Sequence, residues 1–465
     1  MKKQLTTISP IDGSLYVQRD LATDTQIAQA LTHAHAVQKD WARQPIAHRI
    51  RILSTAIDRF VANKEIIAEG ITRQMGRPIR YAGGEVDGFA ARARHMLSIA
   101  EASLRPIQAP PQEGYTRYIT REPAGVVFTI APWNYPLLTA VNSIVPALAA
   151  GNAVILKHSD QTPLCAELIH QAFVEADLPP GLFQYLHVDH DAVRRIIESN
   201  QVNVVCFTGS VAGGRAIEQA AAYRFIGVGL ELGGNDPAYV REDANLGHAV
   251  ETLVDGAFFN SGQSCCGIQR IYVAQRHYDA FVQRAVALTN QYVLGNPLDP
   301  ATTLGPVVRA SAADGVRAVI ADALAKGAKN LIDPQVFGRA GDGGPYLAPG
   351  LFVNVDHTMT LMNDECFGPV VGIMPVRDDE QAIALMNSSP YGLTASVFTT
   401  DEQAAIGIGQ RLETGTFFMN RCDYLDPALA WTGVKHSGRG ATLSQVGYEH
   451  LTRPKSFHLK RHVQP

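Results

Sequence analysis

Four short groups of residues in this chain have types and spacing that could do chemistry. The first is Asn260-Ser261-Gly262-Gln263-Ser264-Cys265-Cys266. A cysteine just after a Gly-Gln pair, at the end of a helical run, sits where the chain can expose it. A thiolate with access is a nucleophile; two adjacent buried thiols are the alternative reading of the same residues. The second group is Leu230-Glu231-Leu232-Gly233-Gly234. A glutamate closing a buried strand has its pKa raised by burial and becomes a usable base, although a helix cap or a salt bridge would also explain it. The third is Pro132-Trp133-Asn134-Tyr135-Pro136. An asparagine amide fixed between two prolines suits a developing oxyanion, and a plain Pro/Asn turn is the other reading. The fourth is Phe207-Thr208-Gly209-Ser210 with Gly214. A strand–glycine–helix corner offers backbone amides to phosphate, but the spacing is not Gly-x-Gly-x-x-Gly, so alone it is weak.

The elements around these groups alternate. Strands are predicted over 125–130, 153–157, 183–186, 203–208 and 225–231, with helices over 138–150, 163–176, 191–199 and 213–222. Continuous apolar strands alternating with helices indicate a doubly wound parallel sheet, whose ligands lie at the strand carboxyl ends. The second half repeats the alternation, with helices over 248–259, 278–292, 310–325 and 380–387. Its strands are predicted over 267–273, 351–354, 370–375 and 395–399. The fold class is therefore α/β, with a second α/β domain starting near Asn235. The first hundred residues read as helical, through Ala28, Leu31, Ala34 and Trp41 and again through Ile50, Leu53, Ile57 and Phe60. Arg92, Arg94 and His95 read as a solvated helix face. A connection is expected over 101–113, an exposed strand over 115–120, and one more strand over 456–462.

Composition narrows the function. The chain has 465 residues, 46% hydrophobic and 18% charged, with a formal net charge of −4. That is an ordinary globular balance for two or three domains. It lacks the basic footprint of a nucleic-acid binder, and no apolar run reaches the ~18–20 residues of a membrane span. Residues 1–13 carry no apolar stretch, so no secretory signal is expected. Six scattered cysteines include no Cys-x-x-Cys pair. They predict reduced thiols in a cytoplasmic protein and no metal site.

Taken in order, these motifs resemble the aldehyde dehydrogenase superfamily from about residue 10 to 460. The resemblance also rests on Lys157-His158-Ser159-Asp160 and Glu365-Cys366-Phe367-Gly368-Pro369. It implies a Rossmann-like cofactor domain (1–102 and 122–234), a catalytic domain (235–448) and a bridging element (103–121 and 449–465) that mediates homodimers or homotetramers. It implies oxidation of a small-molecule aldehyde with NAD or NADP through a Cys265 thiohemiacetal and thioester. Asn134 and the Cys265 backbone N–H would hold the oxyanion, and Glu231 would activate the hydrolytic water. Trp133, Lys157, Asp160, Ser210, Gly214, Glu365 and Phe367 would line the cofactor site. Asp160, facing the adenosine ribose, would favour NAD, whereas Lys157 and His158 could pair with the 2′-phosphate of NADP.

The substrate pocket would comprise Tyr135, Asn142, Phe259, Ser264, Leu425 and Trp431. Those walls suit a medium-sized apolar or semi-polar aldehyde. Arg421 would anchor the carboxylate of a semialdehyde, or form a surface ion pair. The sequence departs from the family pattern at Asn235 (often Lys), at His158-Ser159-Asp160 (often Pro-Ser-Glu) and at Thr442, where a relay glutamate is familiar. A CoA-acylating enzyme and a non-catalytic protein retaining the fold are the alternatives. Glu231 argues against the first, and the presence of both cysteine and base against the second.

Overall fold

The computed structural model describes residues 3–340 and 343–461. Its chain opens not with a helix but with an antiparallel hairpin, Gln4–Ile8 with Leu15–Asp20. The first of these strands alternates buried and exposed residues, the two-residue period of a half-covered strand. Four helices follow: Asp24–Arg43, Ile46–Ala62, Lys64–Met75 and Ile79–Leu104. A capping box at Thr23 and Gln26 starts the first.

The last of the four, 26 residues long, buries Ala82, Val86, Phe89, Ala93, Met96, Leu97 and Ala100 at helical spacing. It packs along helix Pro136–Ala149. Gly88 permits the approach, since a Cβ there would lie 2.6 Å from Leu138 Cδ2. Arg92 lies on this buried stripe and is 8% exposed, so the expected solvated face holds only for Arg94, which is exposed and paired with Asp58.

Six strands form the first sheet, in the order Gly438–Arg439, Gly227–Glu231, Val204–Thr208, Val126–Ala131, Ala153–His158, Phe183–Tyr185. All neighbours are parallel except the first pair. The chain runs outward from Val126–Ala131 to Phe183–Tyr185, then crosses back to Val204–Thr208 on the other side. That reversal creates a switch point, where doubly wound sheets bind ligands beyond their carboxyl ends.

The second sheet has seven strands, ordered Lys329–Asn330, Gly350–Val353, Val370–Val376, Ile268–Ala274, Asp236–Val240, Thr394–Phe398, Thr416–Met419. Two of these, Asp236–Val240 and Thr416–Met419, carry no two-residue alternation to reveal them in sequence; each is a short run defined by its parallel neighbours.

A third sheet joins Thr452–Lys460, Tyr115–Pro123 and Ile107–Gln108. Thr452–Lys460 pairs antiparallel with Tyr115–Pro123 over its whole length. It begins four residues before the predicted 456, because pairing rather than burial holds this exposed strand; His462 lies outside the described residues. The expected connection over 101–113 is partly ordered, since the helix runs to Leu104 and Ile107–Gln108 pairs. The helix expected over 278–292 stops at Thr289. No helix among the described residues is long and apolar enough to cross a membrane.

Candidate active site

The cysteine loop follows helix Leu246–Phe258 and precedes strand Ile268–Ala274. Asn260 and Ser261 take φ of 53° and 58°, and Gly262 takes 70°. Only glycine fits at 262, because a Cβ would overlap the Gly368 carbonyl. The Gln263 side chain accepts from Val308 N–H at 2.8 Å and donates to the Asn260 carbonyl at 3.1 Å. A turn closed by Gly267 N–H on the Ser264 carbonyl then presents Cys265, which is half-buried, while Cys266 is buried. The Cys266 thiol donates to Asp423 Oδ1 at 2.9 Å, and Ser264 Oγ donates to the same oxygen at 2.8 Å. Hydrogen bonding to the Cys265 sulfur, then burial and the Asp423 charge, hold the Cys266 thiol well above its ordinary range. Of the two thiols, Cys266 is therefore the one engaged with Asp423.

Asn134 lies beyond the carboxyl end of Val126–Ala131, and its amide donates to the Gln263 carbonyl at 3.2 Å. One amide hydrogen is used there, leaving the other available. A buried ion pair braces both loops. Arg77 donates to the Asn134 carbonyl at 2.7 Å and to Asn260 Oδ1 at 3.0 Å, and pairs with Glu85. Glu85 in turn accepts the Leu137 and Leu138 N–H groups, each at 3.1 Å, in the first turn of helix Pro136–Ala149. A carboxylate is favoured at a helix N-terminus. Buried pairs add little net stability; this one ties the Asn134 and Cys265 loops together.

Glu231 ends strand Gly227–Glu231 and is half-buried. Thr208 donates to its Oε2 at 3.1 Å and Thr442 to its Oε1 at 2.5 Å. Burial raises its pKa, and the two threonine hydroxyls and the more distant Arg92 charge oppose that rise. Thr442 thus touches the carboxylate directly, where the family pattern suggests a glutamate.

On the cofactor face, Ser210 caps helix Val211–Ala221 by accepting Gly213 N–H at 3.1 Å. First-turn amides and the hydroxyl hydrogen there suit a pyrophosphate. Gly214 is a packing glycine: a Cβ would sit 2.8 Å from the Leu232 methyls. Lys157 Nζ pairs with Asp160 Oδ1 at 2.9 Å. His158, by contrast, is buried, contacts the Pro136 carbonyl at 2.9 Å, and has its pKa pushed down by burial to about 4. It is neutral and turned inward, so the expectation that it could pair with a 2′-phosphate does not hold.

Glu365 accepts Gly234 N–H at 3.1 Å through Oε1; burial raises its pKa to about 7. Its Oε2 accepts nothing from the described residues, and the missing Cβ of Gly233 makes room beside it. That vacancy in its hydrogen bonding fits a ribose hydroxyl. Asn235, in place of the common lysine, donates to the Asp364 carbonyl at 2.8 Å and to Gln269 at 3.1 Å, and so holds the Glu365 loop. The Trp133 and Phe367 rings meet edge to face at 5.6 Å.

Between the sheets lies a cavity of about 420 Å³. It is bordered by Cys265, Glu231 and all six predicted pocket residues, Tyr135, Asn142, Phe259, Ser264, Leu425 and Trp431. Arg421 does not reach it; the side chain is exposed and lies over the Tyr424 ring at 3.3 Å. Sequence reasoning missed Arg77, Glu85, Asp423 and Arg92. For Arg92 a signal existed: it stands three residues after Phe89 and four before Met96, on the buried face. For the others, no local pattern marks the partner.

A sheet edge suited to a dinucleotide, opening onto a cavity that holds a thiol and a half-buried carboxylate, is the architecture of a dehydrogenase. The chain belongs to the aldehyde dehydrogenase family, whose model matches residues 1–457. It is similar to the succinate semialdehyde dehydrogenase (NAD(P)+) Sad of Escherichia coli strain K12, 35% identical over 95% of each chain. It is also 32% identical to betaine aldehyde dehydrogenase 2 of Rhizobium meliloti strain 1021, over 97% of this chain and 93% of the relative. The crystal structure of an aldehyde dehydrogenase from Brucella melitensis biovar abortus 2308 superposes with a TM-score of 0.95 at 30% identity, covering 99% and 95%. The protein is an NAD(P)-dependent oxidoreductase acting on aldehydes.

Proposed function

We propose that the chain oxidises an aldehyde to its carboxylic acid with Cys265 as nucleophile, Asn134 and the Cys265 N–H as oxyanion donors, and Glu231 as hydrolytic base. The observation that carries this reading is the shared cavity: Cys265 and Glu231 border one space, and Asn134 is bonded to the loop that presents the cysteine. Attack by the Cys265 thiolate forms a C–S bond and moves the carbonyl electron pair onto oxygen, beside the free amide hydrogen of Asn134. A dinucleotide, when bound, would supply the acceptor for the hydride that leaves the substrate carbon. Glu231 then takes a proton from water as that water attacks the thioester. The C–S bond breaks, and Cys265 leaves as thiolate.

Lys157, Asp160, Ser210, Gly214, Trp133, Phe367 and Glu365 would hold the dinucleotide. A preference for NAD is supported by the Lys157–Asp160 pair: a 2′-phosphate, carrying about −1.5 to −2 charges, would approach a carboxylate whose cationic partner is already engaged. The first sheet with its helices would be the cofactor domain and the second sheet the catalytic domain, with the three-stranded sheet bridging. Gly438–Arg439 joins the first sheet from within the 235–448 segment. The nine-residue strand Thr452–Lys460 leaves one long edge unpaired among the described residues, and long open edges invite pairing with another copy; this supports a homo-oligomer. Six free thiols suit the reducing cytoplasm.

The decisive experiment is Glu231→Gln in rapid-mixing kinetics. One burst of NADH followed by a stall is expected, because the thioester forms and is not hydrolysed. Unaltered steady-state turnover would exclude the role.

A further inference from the structure

The two relatives named above act on aldehydes whose far ends carry opposite charge, so the reaction class leaves the substrate open. The cavity itself decides. Among the described residues bordering it, one Lys, Arg or His side chain is present, Arg92. Arg92 Nη1 donates to the Leu138 carbonyl at 2.7 Å and to Asn142 Oδ1 at 3.2 Å. Nε and Nη2 find no acceptor among the described residues, and the guanidinium makes no ion pair there.

Three other arginines are buried among the described residues; Arg49 donates through Nε and Nη1 to backbone carbonyls and does not border the cavity. Every nitrogen of Arg77 and of Arg270 donates to the protein. Arg92 is buried, and it remains charged because a guanidinium does not deprotonate in proteins. Burying an unpaired charge is expensive. At the cavity wall a ligand can complete the open Nε and Nη2 donors of Arg92.

Resting on the aldehyde-oxidising reading above, we propose that Arg92 is the specificity-determining anchor for an anionic group at the far end of the substrate. The substrate is then an ω-carboxy aldehyde rather than a neutral or cationic one. A guanidinium fork matches a carboxylate in shape and charge. A carboxylate is favoured over a phosphate monoester because one cation faces it, and the carboxylates of Glu231, Asp255 and Asp423 on the same walls oppose further negative charge. Asn142 accepts from Nη1 and fixes the plane of the fork, and so acts as a positioning residue. Arg421, stacked outside on Tyr424, takes no part.

The test compares kcat/KM for four aldehydes of matched chain length: ω-carboxy, unsubstituted n-alkyl, phosphorylated and trimethylammonio. Wild type is expected to prefer the ω-carboxy aldehyde. In Arg92→Met that preference over the n-alkanal collapses by about 10²-fold, mainly through KM, the usual scale for losing one partner of a buried charge pair. Arg92→Lys restores part of it and serves as the check on folding. Equal losses on ω-carboxy and n-alkyl substrates would overturn the assignment, as would a wild-type preference for the phosphorylated, neutral or cationic aldehyde. Wild-type turnover of the n-alkanal alone would refute this inference and leave the aldehyde-oxidising reading intact. No turnover of any aldehyde would refute both.

Discussion

Thr442→Val tests how this site keeps a half-buried glutamate basic. The swap preserves shape and removes one hydroxyl, the donor 2.5 Å from Glu231 Oε1. Burial pushes the Glu231 pKa up, and the Thr442 hydroxyl is the largest influence pulling it down, ahead of Thr208. Without it, burial is less opposed, the pKa rises, and a smaller fraction is ionised at a given pH. A hydrogen bond to a charged group contributes about 1.5–3 kcal/mol, and one pH unit corresponds to about 1.4 kcal/mol. The acidic limb of the hydrolysis rate should therefore move to higher pH by about one to two units. The measurement is steady-state NADH formation after the burst, from pH 5 to 10, for wild type, Thr442→Val and Thr442→Ser. The serine variant, which keeps the hydroxyl, should follow wild type. At high pH the valine variant should regain most of the rate, because ionised Glu231 is still in place. A limb that stays put, or moves to lower pH, would refute the reasoning. So would a valine variant whose rate is depressed equally at every pH.

Three further outcomes are expected. Cys265→Ala should abolish aldehyde oxidation while Cys266→Ala retains most of it, since Ser264 still satisfies Asp423; turnover assays showing the reverse would exchange the two thiols' roles. Asn134→Ala should lower kcat by about 10²–10³-fold, the scale of one oxyanion donor, with little change in the KM for the dinucleotide; near-normal kcat would leave Asn134 a turn residue. At one fixed aldehyde, kcat/KM should be higher with NAD than with NADP, and Asp160→Ser should narrow the gap by freeing Lys157 for the 2′-phosphate. Equal values in wild type, or an unaltered ratio in the variant, would assign the preference elsewhere.

The sequence by itself determined most of the alternating strands and helices of both sheets, because apolar runs and helical periodicity are local signals. It also marked Cys265, Glu231 and Asn134, whose neighbours are a few residues away in the chain. The residues that lock them are remote: Arg77 reaches Asn134 from 57 residues before it, Glu85 reaches Leu137 from 52 before it, Asp423 meets Cys266 from 157 positions on, and Thr442 meets Glu231 from 211. No local pattern records such meetings. The hairpin Gln4–Ile8 with Leu15–Asp20 and the strands Asp236–Val240 and Thr416–Met419 were likewise illegible, because short strands take their identity from the neighbours they pair with. Arg92 shows the division most plainly. Its helical spacing placed it on an apolar stripe, yet a charged side chain usually faces water. Only the packing of Ile79–Leu104 against Pro136–Ala149, around a cavity, made burial of that charge physically tenable. The chain's local chemistry therefore named the proposed reacting groups, and the tertiary structure decided their partners, because desolvation and pairing depend on what folds against a residue rather than on what precedes it.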